Sequence, residues 1–258
     1  MPNFEEINRE GAAQNTDNGV IRIDAKGSQC PGPIMALKDG MLKAAIGQQV
    51  EIEVTDPGFK TDATAWAAVT GNPMLSMTDK EGVITALFEK QTELGKAPVP
   101  PKEDSVTIVI FSDEMDKGLA SFNIALGALA MGMKVQIFFT FWGISLLRKK
   151  PAHAEHKSVM GRMMEEILPA DDKSLPLSHQ NMLGIGARMM SRVMKQKNVP
   201  PLDFMLHLAK YDGVTFIACQ MSMEILDIKL DELIDGVQVG GVATMIEYAR
   251  KSNLNYFV

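Results

Sequence analysis

Cysteine is scarce in this sequence, which contains only Cys30 and Cys219 among 258 residues. Two cysteines this far apart make no disulfide framework, and no cysteine–histidine spacing typical of a zinc site accompanies them. The four histidines are scattered, so we expect no metal site, because metal sites need clustered ligands. A Walker pattern and a full dinucleotide fingerprint are also missing, and no cofactor is expected. A reducing cytoplasm is the expected location.

Basic residues are fewer than acidic ones, which gives the chain a formal net charge of −6 and a pI near 5.3. Nucleic-acid binding needs a basic surface that displaces counterions, so direct binding to nucleic acid is not expected. The first 20 residues lack the apolar core of a secretory signal. A hydrophobic content of 46% with 22% charged residues is ordinary for a soluble globular protein.

No uninterrupted apolar run is long enough for a membrane-spanning helix. The most apolar stretch, 119–147, contains one charge, Lys134, and the sequence Gly132-Met133-Lys134 divides it into a helix-like and a β-rich half. Neither half reaches the roughly 20 residues of a spanning helix, and a buried helix followed by a buried parallel strand is equally apolar. Weak membrane association stays open, because Trp142 and the basic run 148–150 resemble an interfacial anchor.

The composition divides the chain into four predicted segments. The polar residues 1–18 are expected to form a disordered lead-in, and residues 19–88 a compact unit. Residues 89–104 are polar and contain prolines, which indicates a linker to a second unit over 105–258. Within 19–88, alternating runs flank two helical stretches, which predicts the order βαβαββ and a small two-layer α/β sandwich.

The second unit is predicted to be a doubly wound α/β domain with a parallel sheet. Its apolar strands alternate with helical stretches, a pattern typical of a parallel sheet covered on both faces. The strands are predicted at 106–111, 135–141, 214–218, 236–239 and 255–258, and the helices at 118–133, 220–227 and 242–251. Sites in such sheets form at the carboxyl ends of strands, where Cys219 falls.

Each cysteine is predicted to begin a helix. A thiol at a helix N-terminus lies at the positive end of the helix dipole, which favours the reactive thiolate. In Cys30-Pro31-Gly32-Pro33, the two prolines suit a first helical turn, stiffen it and present the sulfur forward. Pro31 and Pro33 are therefore supporting candidates beside the catalytic candidates Cys30 and Cys219.

Three further features of the second unit are candidate parts of a functional site or of a contact with a partner. The pair Gly240-Gly241 predicts a tight strand-to-helix connection near Cys219, with a phosphate-cradling turn as the alternative, and counts as a supporting candidate. The acidic loop 113–116 follows a predicted strand and is either a solvated loop or a gate or partner contact. The methionine-rich region 160–194 predicts a helical insertion at the core or at a subunit interface, with a mobile lid or docking surface as the alternative.

The first unit resembles the TusA-type sulfur carrier family over residues 19–88. The residues that carry the resemblance are Asp24, Gly27, the motif Cys30-Pro31-x-Pro33, Lys38 and the run 54–57. The resemblance implies a βαβαββ sandwich and a persulfide on Cys30. Some members carry another cysteine where this chain has Trp66-Ala67-Ala68, so disulfide chemistry within the domain is excluded.

The second unit resembles the DsrE/DsrF-like family, whose flavodoxin-like members often form oligomers. The resemblance lies in the strand 106–111, the segment 217–223 and the segment 239–243. It implies sulfur bound on Cys219 and a homo-oligomer.

Together these features predict a cytoplasmic sulfane-sulfur carrier or sulfurtransferase that relays sulfur as cysteine persulfide between Cys30 and Cys219. The expected partners are persulfide-donating and sulfur-accepting proteins or low-molecular-weight thiols. Two other functions stay open. A peroxiredoxin-like thiol oxidoreductase would use one cysteine against peroxide and the other to resolve the sulfenate, and a non-catalytic scaffold would need neither thiol.

Overall fold

A computed structural model describes residues 13–17, 19–97, 101–149, 175–178 and 185–258. The chain forms two compact units, one of residues 1–101 with 240–250 and one of residues 102–239 with 251–258. The segment 240–250 thus groups with the first unit, whereas the sequence places it inside a second domain over 105–258. The grouping reflects tertiary packing, which composition does not reveal.

The first unit contains a mixed five-stranded sheet with the strand order β1-β2-β3-β5-β4. The strands β2 and β3 are parallel, and the remaining neighbours are antiparallel. This confirms the predicted small α/β fold. Its elements are β1 (Ala13–Asp17), β2 (Val20–Asp24), α1 (Gly32–Lys43), β3 (Gln49–Val54), α2 (Phe59–Thr70), β4 (Met74–Lys80) and β5 (Val83–Glu89).

Strand β1 lies within the segment predicted to be a disordered lead-in. It pairs antiparallel with β2, so that Ala13 lies opposite Asp24 and Asp17 opposite Val20. The lead-in prediction is therefore corrected for residues 13–17, and residues 1–12 lie outside the described part of the chain. The run Ala13–Asp17 is mostly polar and does not alternate with apolar residues, so hydrophobic periodicity does not predict a strand there.

The core of the first unit follows from alternation in β3 and β5. Buried residues alternate with more exposed ones along both strands, which directs one face of the sheet towards α1 and α2. Helix α1 contributes Leu37 and Met41 to this core, and Trp66 of α2 meets Phe88 edge to face with ring centroids 5.6 Å apart. This packing holds α1 against the sheet and thereby positions its first turn, which follows Cys30.

The second unit contains a five-stranded sheet with the order β10-β6-β7-β8-β9. The pairs β10–β6, β6–β7 and β7–β8 are parallel, which confirms the predicted fold class. Its elements are β6 (Glu103–Ile110), α3 (Met115–Ala130), β7 (Lys134–Phe139), α4 (Ile185–Gln196), α5 (Leu202–Tyr211), β8 (Thr215–Cys219), α6 (Gln220–Ile225), β9 (Gln238–Gly240) and β10 (Ser252–Phe257). Helix α7 (Val242–Lys251) precedes β10 in the chain and, except for Lys251, groups with the first unit.

The apolar stretch 119–147 is a helix, a buried strand and a turn. It comprises most of α3, the whole of β7 and the 3₁₀ helix Phe141–Leu147. Among the described residues, no helix is both long and apolar enough to cross a membrane. Phe216 of β8 explains the apolar character of α3 and β7, because it packs against Phe122 and Phe139 with centroids 6.2 and 5.5 Å apart.

Most of the methionine-rich region 160–194 lies outside the described residues, so its role stays a prediction. Its last part forms α4, where Met189 is 62% exposed and Met194 is buried. Met194 and Met115 line a cavity of about 700 Å³ together with residues that precede and begin α5.

Candidate functional site

Cys30 lies in the loop between β2 and α1, immediately before the first turn of the helix. The backbone N–H of Gly32 donates to Gln29 O at 2.7 Å, and that of Met35 donates to Pro31 O at 3.1 Å. Pro31 is the residue before the helix and Pro33 is buried in its first turn, as the motif predicts. The Cys30 side chain is half-buried, so its sulfur is accessible in part.

Hydrogen bonds hold the loop that contains Cys30 against the end of β3. Gly27 N donates to Thr55 Oγ1 at 2.9 Å, and Ala25 N donates to Glu53 O at 2.9 Å. Lys26 forms an exposed ion pair with Glu53 and another with Asp24 at 3.2 Å. Backbone hydrogen bonds, rather than these solvated ion pairs, hold the loop, since exposed pairs contribute little stability.

Gly241 lies against Cys30, within the first unit. A Cβ atom at Gly241 would lie 3.0 Å from Cys30 Sγ and 2.2 Å from Asp62 Oδ2. The structure thus brings together one predicted catalytic candidate, Cys30, and one predicted supporting candidate, Gly241. The sequence associated Gly241 with Cys219 because both follow strands of the same domain. The predicted connection itself is present, since β9 ends at Gly240 and α7 begins at Val242.

Asp62 and Thr244 belong to this site, although the sequence did not suggest them. Asp62 is 3% exposed and accepts hydrogen bonds from Gly241 N, Thr244 N and Thr244 Oγ1 at 2.8, 3.1 and 2.6 Å. Asp62 follows Thr61 in an alanine-rich helix without any motif spacing. Its partners lie about 180 positions later in the chain, so no local signal could have found them.

Cys219 is the last residue of β8 and precedes α6. It is 5% exposed, far more buried than a surface thiol. The registers pair Ile110 with Phe139, and Phe139 with Ala218, so the carboxyl ends of β6, β7 and β8 share one edge. The strand limits place Cys219 at the carboxyl end of a strand, as the sequence predicts.

Small residues allow neighbouring backbone segments to approach each other closely at the sheet edge that contains Cys219. Thr140 follows β7, and its Oγ1 lies 3.0 Å from Oγ of the fully buried Ser222 in α6. A Cβ atom at Gly143 would lie 2.3 Å from Ile110 O, so only glycine allows the 3₁₀ turn to approach β6 this closely. Cys219 therefore lies among closely packed polar and apolar residues at the edge of the sheet, and not on an open surface.

The predicted acidic loop 113–116 follows β6, and its last two residues, Met115 and Asp116, lie in the first turn of α3. Burial raises the pKa of Asp113, and the neighbouring charge of Glu114 raises it further. Hydrogen bonds from Lys117 and Ser112 lower the pKa of Glu114. Burial opposes ionisation of Asp116, but hydrogen bonds from Ser178 Oγ at 2.6 Å and Ser178 N at 3.1 Å leave its pKa below the usual value.

The described residues contain no group of three or more His, Cys, Asp or Glu side chains that could hold a metal ion. Each of the two positions offers a cysteine sulfur beside a helix start. One sulfur is half-exposed and the other nearly enclosed.

The comparisons with known proteins match the two parts of the chain separately. A model of the DsrE/DsrF/DrsH-like family matches residues 102–257, and a model of sulfurtransferase TusA matches residues 21–90. The chain belongs to the DsrE/DsrF/DrsH-like family. It carries a TusA region ahead of the DsrE-like region, so both resemblances and their order are confirmed. Each matched region contains one of the two cysteines.

Several relatives of this DsrE-like chain match only part of its length. The protein YrkE of Bacillus subtilis is 36% identical over 59% of this chain and 95% of its own length. The sulfur carrier protein DsrE2 of Allochromatium vinosum is 31% identical over 61% of this chain and 99% of its own. The sulfur carrier protein TusA of the same organism is 34% identical over 26% of this chain and 90% of its own.

Proposed function

We propose that this protein is a sulfur carrier that holds sulfane sulfur as a persulfide on Cys30 and on Cys219 and passes it between them. One observation carries the proposal: the chain has two cysteines, and each lies at a strand-to-helix junction in a different matched region. The names of two relatives, DsrE2 and TusA, which are sulfur carrier proteins, support it.

The transfer step is an exchange between a thiolate and a persulfide. The cysteine thiolate attacks the outer sulfur of the donor persulfide, and a new S–S bond forms as the donor S–S bond breaks. The donor sulfur leaves as a thiolate with the electron pair of that bond. The outer sulfur keeps its oxidation state, so the step needs no external oxidant or reductant, and its rate depends on the nucleophile and leaving group as in thiol–disulfide exchange.

The two thiols suit different donors and acceptors. The half-buried Cys30 can be reached by a protein or a low-molecular-weight thiol, whereas the 5% exposed Cys219 needs a small reagent or local opening of its edge. A single chain raises the effective concentration of one thiol at the other into the millimolar range where geometry allows contact. A reducing cytoplasm suits this chemistry because it keeps free thiols reduced.

The partners and the assembly follow from the same proposal. Donors are persulfide-bearing proteins or small thiols, and acceptors are thiols or sulfur-accepting proteins. Homo-oligomer formation and weak membrane association stay predictions from the sequence.

The relay predicts that both cysteines are needed for transfer. We expect labelled sulfane sulfur to pass from a small persulfide donor through the wild-type chain to an acceptor thiol. Cys30→Ala and Cys219→Ala should each lower the protein-dependent transfer rate by at least tenfold, because a covalent acceptor atom is removed. The measurement is a time course of label on the acceptor, with the double alanine variant as the background. Wild-type transfer by either single variant would show two independent sites.

A further inference from the structure

A buried carboxylate beside Cys30 binds a segment distant in sequence. Asp62 of α2 accepts three hydrogen bonds, from Gly241 N, Thr244 N and Thr244 Oγ1. Asp62 and Thr244 are 3% and 2% exposed. Because a buried carboxylate is costly unless it accepts hydrogen bonds, these contacts bind the segment 240–244 at this place. All these residues belong to the first compact unit.

The bound segment lies directly on the cysteine sulfur. A Cβ atom at Gly241 would lie 3.0 Å from Cys30 Sγ and 2.2 Å from Asp62 Oδ2. Real Cβ atoms do not approach other atoms to 2.2 Å, so a side chain at 241 requires the segment or Asp62 to move. Gly241 therefore allows the backbone to approach the thiol and the carboxylate at once.

We propose that the segment 240–244 is a cover of Cys30 and that Asp62 is the positioning residue that keeps it closed. With the cover in place, one side of the sulfur is occupied by the Gly241 backbone, and a bulky reagent must approach from the other side or displace the cover. Release of the hydrogen bonds to Asp62 opens the occupied side. The inference concerns access to the thiol, so it stands independently of the sulfur chemistry proposed above.

One consequence rests on the proposed function: for a persulfide on Cys30, the cover restricts where the outer sulfur lies. An S–S bond is about 2.05 Å long, and the Gly241 side of Cys30 Sγ leaves no room for another sulfur atom in the closed state. The outer sulfur therefore projects away from Gly241. Bulky acceptors meet it from that side, and Asp62 thereby sets the direction of approach without touching the reacting atoms.

The test measures alkylation of Cys30 as the only thiol, in the Cys219→Ala background. Two reagents are compared on the native protein: iodoacetamide, which is small, and a maleimide attached to a polyethylene glycol chain, which is bulky. Asp62→Ala should raise the rate with the bulky reagent about tenfold, because it removes hydrogen bonds to a charged acceptor. The rate with iodoacetamide should change less, so the ratio of the two rates is the readout.

Thr244→Val provides a second variant that leaves α2 intact. It removes the Thr244 Oγ1 donor but keeps the shape of the side chain, and it should raise the bulky-reagent rate about fivefold. Asp62→Ala combined with Thr244→Val should react no faster than Asp62→Ala alone, because both changes remove the same contact. Gly241→Ala should also raise the rate, since its Cβ forces the cover outwards.

Matched controls separate opening from damage to the fold. Asp39→Ala changes an exposed acid in α1, and Gly127→Ala adds a Cβ where no atom lies within 4 Å. Both should leave the two rates unchanged. Unchanged Trp66 fluorescence in the Asp62→Ala variant, measured in a Trp142→Phe background, excludes unfolding of the unit. Equal rates in Asp62→Ala and its parent, or additive effects in the double variant, would overturn the proposal.

Discussion

At the residue scale, the two cysteines have similar local positions and different surroundings. Each stands before a helix, but Cys30 is half-buried and Cys219 is 5% exposed. Local sequence predicts the position, because proline and strand patterns are local. It does not predict the burial, since Gly241 reaches Cys30 from a distant part of the chain. For the same reason no local signal points to Asp62 and Thr244, whereas the motif does predict that Pro31 and Pro33 lie at a helix start.

Asp113, in the acidic loop 113–116, leads to a prediction of how the stability of the protein changes with pH. Burial raises the pKa of Asp113, so its ionised form destabilises the folded protein near neutral pH. Asp113→Asn should therefore be more stable than the wild type at about pH 7, and the difference should shrink as the wild type is protonated towards about pH 4. The measurement is urea unfolding at both pH values, followed by Trp142 fluorescence in a Trp66→Phe background.

The control for this prediction is Asp104→Asn, which changes an exposed acid of β6 in the same unit. It should leave the free energy of unfolding nearly unchanged at both pH values. A stability gain of Asp113→Asn that grows on acidification would contradict the assigned direction of the pKa shift.

At the element scale, hydrophobic patterns predicted the strands that have a buried face. The run 49–54 alternates and is β3, and the apolar run from Val106 is most of β6. Strand β1 was missed because a polar edge strand has no such pattern. Helix limits shifted by a few residues, since α3 begins at Met115 and was predicted at 118. Hydrophobic periodicity predicts which face of a helix is buried. It does not predict the residue at which the helix begins or ends, because that depends on local capping.

Three strands of the second unit are joined by a buried polar cluster. Oγ of Ser252 lies 2.7 Å from Thr107 Oγ1 and 3.1 Å from Ser105 Oγ, and accepts from Gln136 Nε2 at 2.7 Å. Ser252 is fully buried. The cluster connects β10, β6 and β7 and favours one register, because a shifted strand would leave these groups without partners.

Ser252→Ala should therefore lower the free energy of unfolding by about 1–3 kcal/mol, because buried hydrogen-bonding groups lose a shared partner. The measurement is urea unfolding of the full chain, followed by Trp142 fluorescence. Asn253→Ala, at the exposed next position of β10, should change stability by less than about 0.5 kcal/mol. Equal effects of the two substitutions would show that the cluster does not stabilise the sheet.

At the scale of the whole molecule, a TusA region and a DsrE-like region are joined in one chain. The TusA match ends at residue 90 and the DsrE-like match begins at residue 102, and each region contributes one cysteine. Order and fold class were predictable because both depend on local patterns. The grouping of residues 240–250 with the first unit was not, because it depends on side chains that meet only after folding.

The most direct test of the central claim is intact-mass spectrometry after incubation with a persulfide donor. Wild type, Cys30→Ala and Cys219→Ala are compared, and the double alanine variant is the control because it has no thiol left. We predict a gain of one sulfur mass on each single variant, removed by reductant, and none on the double variant. If neither single variant nor the wild type gained sulfur, the chain would not be a persulfide carrier.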